Sequence, residues 1–149
     1  MIKVIVKLVL VIAALSLAGC STYSNNAPSW MPGSNAIKVN LTGTDEVPPL
    51  SVPGSGSGTI RVEDDGTVSG SITTKDVAGT MAHIHRGAKG TNGPVIVPLD
   101  KKADNHFESK PGAKFTDEQY QAYRAGRTYV NVHSDAHKGG EIRAQLKGS

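Results

Sequence analysis

The chain has one cysteine in 149 residues, Cys20. No internal disulfide can staple the fold, and no Cys pair can form a thiolate metal site or a dithiol redox centre. Aromatic residues are few: two Phe, four Tyr and one Trp. No basic run is interleaved with them, so nothing points to nucleic acid, and no such partner is expected. An excess of one charge is missing as well. The formal net charge is +3, but two of the 16 basic residues, Lys3 and Lys7, sit in the first seven positions, which leaves 14 basic against 13 acidic residues elsewhere. The longest apolar run, Leu8–Leu17, is broken only by Ser16. It is shorter than the roughly 20 residues that span a bilayer. Heptads and solenoid repeats are absent. So are a nucleophile elbow and a His-Glu-x-x-His zinc motif. The Gly90-Thr91-Asn92-Gly93 segment lacks the lysine and the following helix of a phosphate loop, and reads as a turn.

What is present begins with a targeting signal. Two lysines, an apolar stretch and then small residues, Ala18 and Gly19, form the order of a secretory signal over residues 1–19. Leu17-Ala18-Gly19-Cys20 resembles a bacterial lipobox, in which the cysteine is fatty-acylated, with palmitate-type chains, and becomes the mature N-terminus. An ordinary secretory signal or a short anchor would leave the lone Cys20 unexplained. Acyl chains hold a protein on a membrane through buried methylenes. In the lipoproteins this segment resembles, an Asp after the cysteine favours the inner membrane, so Ser21 implies the outer membrane. The expected partner through Cys20 is therefore the membrane, and the expected location is the bacterial cell envelope.

Residues 20–36 read as a tether. They are rich in Ser, Asn and Pro, lack periodicity, and bury too little apolar surface to offset ordering. Trp30 and Met31 are the exceptions and would dock on the domain, the plainer reading, or sit at the membrane surface. The domain is expected over residues 37–149. Ile37, Val39 and Leu41 alternate with polar residues, as a half-buried strand requires. Pro48 and Pro49 exclude a central strand around them. Gly54–Gly58 reads as a turn or bulge. Thr59–Glu63 and Thr67–Thr73 form a hairpin closed by Asp64-Asp65-Gly66. Thr80–His85, Val95–Leu99, Thr128–His133 and Glu141–Leu146 complete the strands. One helix is expected over Thr116–Ala125, from a capping box of Thr116 with Gln119, a staple of Phe115 with Tyr120, and Gly126 beyond its end. Short strands at this spacing imply an all-β antiparallel sandwich or barrel with one short helix.

Five histidines supply the candidate chemistry. Alternate strand residues share a face. If Ala82 and Ile84 point into the core, then Met81, His83 and His85 point out. If Val130 and Val132 point in, then Tyr129, Asn131 and His133 point out. Alternate positions lie roughly 6.5–7 Å apart, a gap two imidazoles can bridge to one ion at about 2.0 Å metal–nitrogen distances. The candidate metal ligands are His83, His85 and His133, with His137 as an optional fourth. An all-imidazole set suits copper first and zinc second. Binding is expected to weaken below about pH 6, where imidazoles protonate. The plain alternative is that these histidines only hydrogen-bond. His106 reads as part of a polar loop with no role. Met81 offers a thioether that would favour Cu(I), although packing is its default reading. Glu141 with Arg143 reads as a surface ion pair, and Arg86 with Lys89 as solvated charge rather than an anion site.

Five segments occur in the order of one family. They are Glu46-Val47-Pro48-Pro49, Ala82-His83-Ile84-His85, Asn92-Gly93-Pro94-Val95, Tyr129-Val130-Asn131-Val132-His133 and Gly139-Gly140-Glu141-Ile142-Arg143. Over about residues 37–146 the chain resembles the CHRD (chordin-like) domain family. The resemblance implies an immunoglobulin-like or superoxide-dismutase-like β-sandwich and says little about biochemistry. A more distant likeness, of fold alone, is to Cu/Zn superoxide dismutase, which also places copper ligands as His-x-His on a strand. This chain departs from it in having no disulfide and no full His/Asp set for paired copper and zinc. Two functions compete: a copper-binding envelope module, and a structural or protein-interaction module without metal. A redox enzyme ranks below both, and no catalytic residue is assigned.

Overall fold

The computed structural model describes residues 36–148. Cys20, Trp30, Met31 and the expected signal and tether lie outside the described residues. Among the described residues, eight strands run in chain order: β1 (Ala36–Thr42), β2 (Ser55–Val62), β3 (Val68–Lys75), β4 (Gly79–Arg86), β5 (Val95–Ala103), β6 (His106–Ser109), β7 (Thr128–Ser134) and β8 (Ile142–Leu146). One 3-10 turn, Gly43–Asp45, follows β1, and one helix, α1 (Asp117–Arg124), precedes β7.

The all-β, antiparallel expectation holds, but the sandwich does not. A single sheet closes into a barrel in the order β1-β2-β3-β6-β5-β4-β7-β8. The physical reason is a strand that the sequence reading missed. The apolar run Val95–Leu99 continues through polar residues to Ala103, turns at Asp104-Asn105, and returns as β6. That strand bonds to β3 through Ile72↔Phe107 and to β5 through Lys101↔Phe107, which joins what would otherwise be two sheet edges. The other seam closes with one pair, Thr42↔Arg143. His106 therefore opens a strand instead of sitting in a loop.

Gly54–Gly58 also differs from its expected turn. Ser55–Gly58 belongs to β2 and pairs with β1 and β3. Its glycines are there for close approach: a Cβ on Gly58 would lie 2.0 Å from the Ser71 carbonyl oxygen. The Asp64-Asp65-Gly66 hairpin forms as expected, with Asp65 Oδ1 accepting from Thr67 N–H at 2.9 Å.

Period-two alternation fills the barrel. Leu41, Ile60, Ile72, Ala82, Ile84, Val130, Val132 and Ile142 are all fully buried inside it. Burying each larger aliphatic side chain contributes roughly 1.5–3 kcal/mol. The helix carries its expected capping box, with Thr116 Oγ1 accepting from Gln119 N–H and Gln119 Oε1 accepting from Thr116 N–H. Of its aromatic neighbours, Phe115 packs on Tyr123, with ring centroids 6.0 Å apart.

Candidate metal centre

Strands β4 and β7 are neighbours, and their register sets the outer face. Met81 lies opposite His133, His83 opposite Asn131, and His85 opposite Tyr129. On the far side, β8 places Arg143 opposite Asn131 and Gln145 opposite Tyr129. The inner partners Ala82, Ile84, Val130 and Val132 have no exposed surface. The three histidines therefore stand outside the barrel, as alternation predicts.

They converge. One ligating atom from each of His83, His85 and His133 lies within 4.8 Å of the others. The ring centroids are 4.9 Å apart for His83–His133, 5.6 Å for His83–His85 and 5.8 Å for His85–His133. His137 is not part of this cluster. Its backbone closes the β7–β8 turn, exchanging hydrogen bonds with Ser134 at 3.2 and 3.3 Å.

Outer-face histidines of a barrel would ordinarily be solvated, yet His85 is only 7% exposed and His133 6%. Two loops cover them, and each loop supplies a carbonyl that fixes a ring. His85 Nδ1 donates to the Gly93 carbonyl at 2.9 Å, and His133 Nδ1 donates to the Lys138 carbonyl at 2.9 Å. A carbonyl only accepts, so both rings hold their proton on Nδ1 and leave Nε2 as a bare lone pair. This is the outer support that orients imidazole ligands at metal sites. His85 Nε2 is buried and makes no hydrogen bond of normal geometry, although the Asn131 amide lies near enough to act on the ring. His133 Nε2 accepts from His83 Nδ1 at 3.1 Å.

A buried acceptor without a donor in normal geometry is costly, and a cation placed against it removes that cost. Tetrahedral ligation at about 2.0 Å separates neighbouring nitrogens by roughly 3.3 Å. The His83–His133 pair already stands near that spacing. Ligation through His83 Nδ1 would require that ring to move its proton to Nε2.

Burial governs the ionisation of His83 and His85. It holds the His83 imidazole down at about 4, with the His133 and His85 charges adding to the effect. His85 is lowered as well, again chiefly by burial, although its bond to Gly93 opposes the shift. Both rings are neutral at neutral pH, which is the state that ligates.

Behind the cluster lies a polar layer that the sequence reading missed. His85 stacks on Tyr129, with centroids 4.8 Å apart and planes 6° from parallel. The Arg143 guanidinium covers the other side of that ring at 3.4 Å. Arg143 is 1% exposed. It forms no surface pair with Glu141, because β8 here lies under the Gly87–Pro94 loop. Its donors go to the carbonyls of Ala88 and Thr91, to Asn92 Oδ1 and to Gln145 Oε1. Gln145 Nε2 reaches the Gly87 carbonyl at 2.8 Å. The loop that carries the Gly93 brace is thus tied down by side chains of β8. Gly93 itself has no room for a side chain, since a Cβ would lie 1.7 Å from the Arg86 carbonyl oxygen.

Glu46 is buried beside Asn131. Burial pushes its carboxyl up, opposed by the Arg143 charge and the Asn131 amide. The period-two pattern of Tyr129, Asn131 and His133 gave the shared face of β7. Nothing in the sequence showed that Arg143 would cross beneath it.

The remaining candidates lie apart. His106 bridges Glu108 at 2.8 Å and Thr73 at 3.2 Å on the β3–β6 side. Arg86 pairs with Glu118 of α1 instead of holding an anion. No curated protein and no solved structure matches the chain. The CHRD domain family matches residues 37–146, a span that holds His83, His85 and His133. The chain belongs to the CHRD domain family.

Proposed function

We propose that the chain is a bacterial envelope lipoprotein, anchored through Cys20 to the outer membrane, whose CHRD domain binds a transition metal, copper, at His83, His85 and His133. The observation that carries this reading is the buried Nε2 of His85, without a hydrogen bond of normal geometry, beside two further imidazoles with all three ligand atoms within 4.8 Å. Structural histidines on a strand are normally satisfied by a carbonyl, a carboxylate or water. Here two rings are braced from behind by carbonyls, which leaves Nε2 of each as its ligating nitrogen, that of His133 accepting from His83.

Three neutral nitrogen ligands favour copper over zinc by the Irving–Williams order. A three-ligand set leaves a coordination position open, which suits exchange of the ion rather than a closed structural role. Such a module would hold or pass on copper in the envelope. His137, on the covering turn, stands outside the cluster and would serve as a fourth ligand only if that turn moved towards it.

The test is metal analysis of the untagged chain, purified in detergent and titrated with copper and with zinc. One equivalent of copper, retained against a competitor that removes zinc, supports the reading. Failure to bind either ion would leave a protein-interaction module whose histidines form an internal hydrogen-bonded cluster.

A further inference from the structure

Met81 stands outside the hydrophobic core. It is 50% exposed, and the two large hydrophobic side chains exposed among the described residues are Met81 and Val95. A methionine kept for packing would sit in the core, as Ala82 and Ile84 beside it do. The register places Met81 directly opposite His133, and side chains so paired have Cβ atoms roughly 4.5–5.5 Å apart. Two residues further along the same face stands His83. Met81 therefore shares an outer-face row with one imidazole of the cluster and adjoins a second.

The strand on the other side adds to this. Pro98 lies opposite His83 and Val95 opposite His85, and both are exposed. Neither carries a ligand atom or a charge. Beside His83 and His85 the β5 margin of the cluster is thus apolar; one step further along that row stands Asp100, whose carboxylate is engaged by Lys102 and Lys110, and Met81 is the thioether there. A thioether is soft and uncharged, binds Cu(I) well, and contributes little to Zn(II) or Cu(II). The methionine side chain has enough rotatable bonds to swing over a neighbouring site.

We infer that Met81 is an additional, entry-side ligand that allows the His83–His85–His133 site to take Cu(I). This rests on the histidine reading of the site. With three imidazoles alone, the centre would discriminate mainly by geometry. With the thioether it holds the reduced ion as well, so the site can accept copper in either oxidation state.

The test compares the untagged full chain with Met81→Leu, a swap of similar volume at an exposed position that leaves the fold intact. Cu(I) is supplied anaerobically with a chromophoric chelator as competitor, and Cu(II) and Zn(II) are titrated separately. The expected result is a loss of Cu(I) affinity of at least about tenfold, the scale on which even supporting groups act at metal sites. Cu(II) affinity should change by less than about twofold, as the hardness of that ion predicts. Copper X-ray absorption of the Cu(I) form should show a sulfur neighbour in the wild type and none in Met81→Leu. Equal Cu(I) affinity in both proteins, with Cu(II) still lost in His83→Ala, would overturn the Met81 assignment and leave the histidine site standing. A wild type that binds neither oxidation state would overturn both.

Discussion

His133 Nδ1 donates to the Lys138 carbonyl across five residues at 2.9 Å, and the same ring accepts from His83 through Nε2 at 3.1 Å. One bond belongs to the covering turn and the other to the neighbouring strand. The ring is thereby held between two elements with its lone pair directed at the cluster.

Acid stability should follow the burial of His83. Its folded form is held at about 4 while the ordinary value is 6.5. Between those values the unfolded chain carries a proton that the folded chain lacks. The stability tied to the neutral ring is therefore fully present above about pH 6.5 and is lost progressively as pH falls towards 4. Denaturant unfolding at pH 7 and at pH 4.5 should show a larger drop for wild type than for His83→Gln. An equal drop in both would mean that His83 is not the group responsible.

The same shift extends metal binding. The sequence alone suggested weakening below about pH 6. With His83 and His85 both lowered, protons compete less for these two ligands, so copper release should need a lower pH than it would from freely solvated imidazoles, with a reference pKa of about 6.5. Copper release followed by equilibrium dialysis across pH 7 to 4 measures this.

Gly93→Ala should act at a distance. The added methyl would fall against the Arg86 carbonyl, shift the loop and withdraw the brace from His85. Copper affinity should fall roughly 10- to 100-fold, as when supporting groups at metal sites are lost, without any ligand being altered. Isothermal titration of the variant against wild type checks it, with circular dichroism confirming that the barrel persists.

Arg143→Met should destabilise the domain by about 1–3 kcal/mol, the usual cost of stranding buried acceptors. The Ala88 and Thr91 carbonyls and Gln145 Oε1 would each lose their donor. Urea denaturation measures it directly. A change within a few tenths of a kcal/mol would show that water replaces the guanidinium.

These four residues also mark what the sequence disclosed. His83, His85 and His133 were legible because period-two alternation fixes which face a strand residue takes, and the apolar pairs Ala82/Ile84 and Val130/Val132 named the inner one. The helix was legible because its capping box is local. Barrel closure was not, because β6 is four residues long with one buried apolar side chain, Phe107, too short for a periodic signal. Arg143 was misread for a related reason. Alternation places it on the outer face, but the sequence carries no sign that a loop between β4 and β5 folds back over that face. Burial there comes from tertiary cover, which pattern alone does not encode.

Lipidation has its own test. Cys20→Ser should abolish acylation and shift the protein out of the outer-membrane fraction. Unchanged processing and fractionation would rule out the lipobox.

The central claim is that three imidazoles from β4 and β7 hold one ion. Copper titration of the untagged chain beside His83→Ala, His85→Ala, His133→Ala, His137→Ala and His106→Ala tests it most directly. The account predicts one equivalent bound by wild type and by His106→Ala, sharply weaker binding in each of the three cluster variants, and a smaller loss or none in His137→Ala. Full copper binding after removal of His85, whose buried Nε2 makes no hydrogen bond of normal geometry, would contradict it.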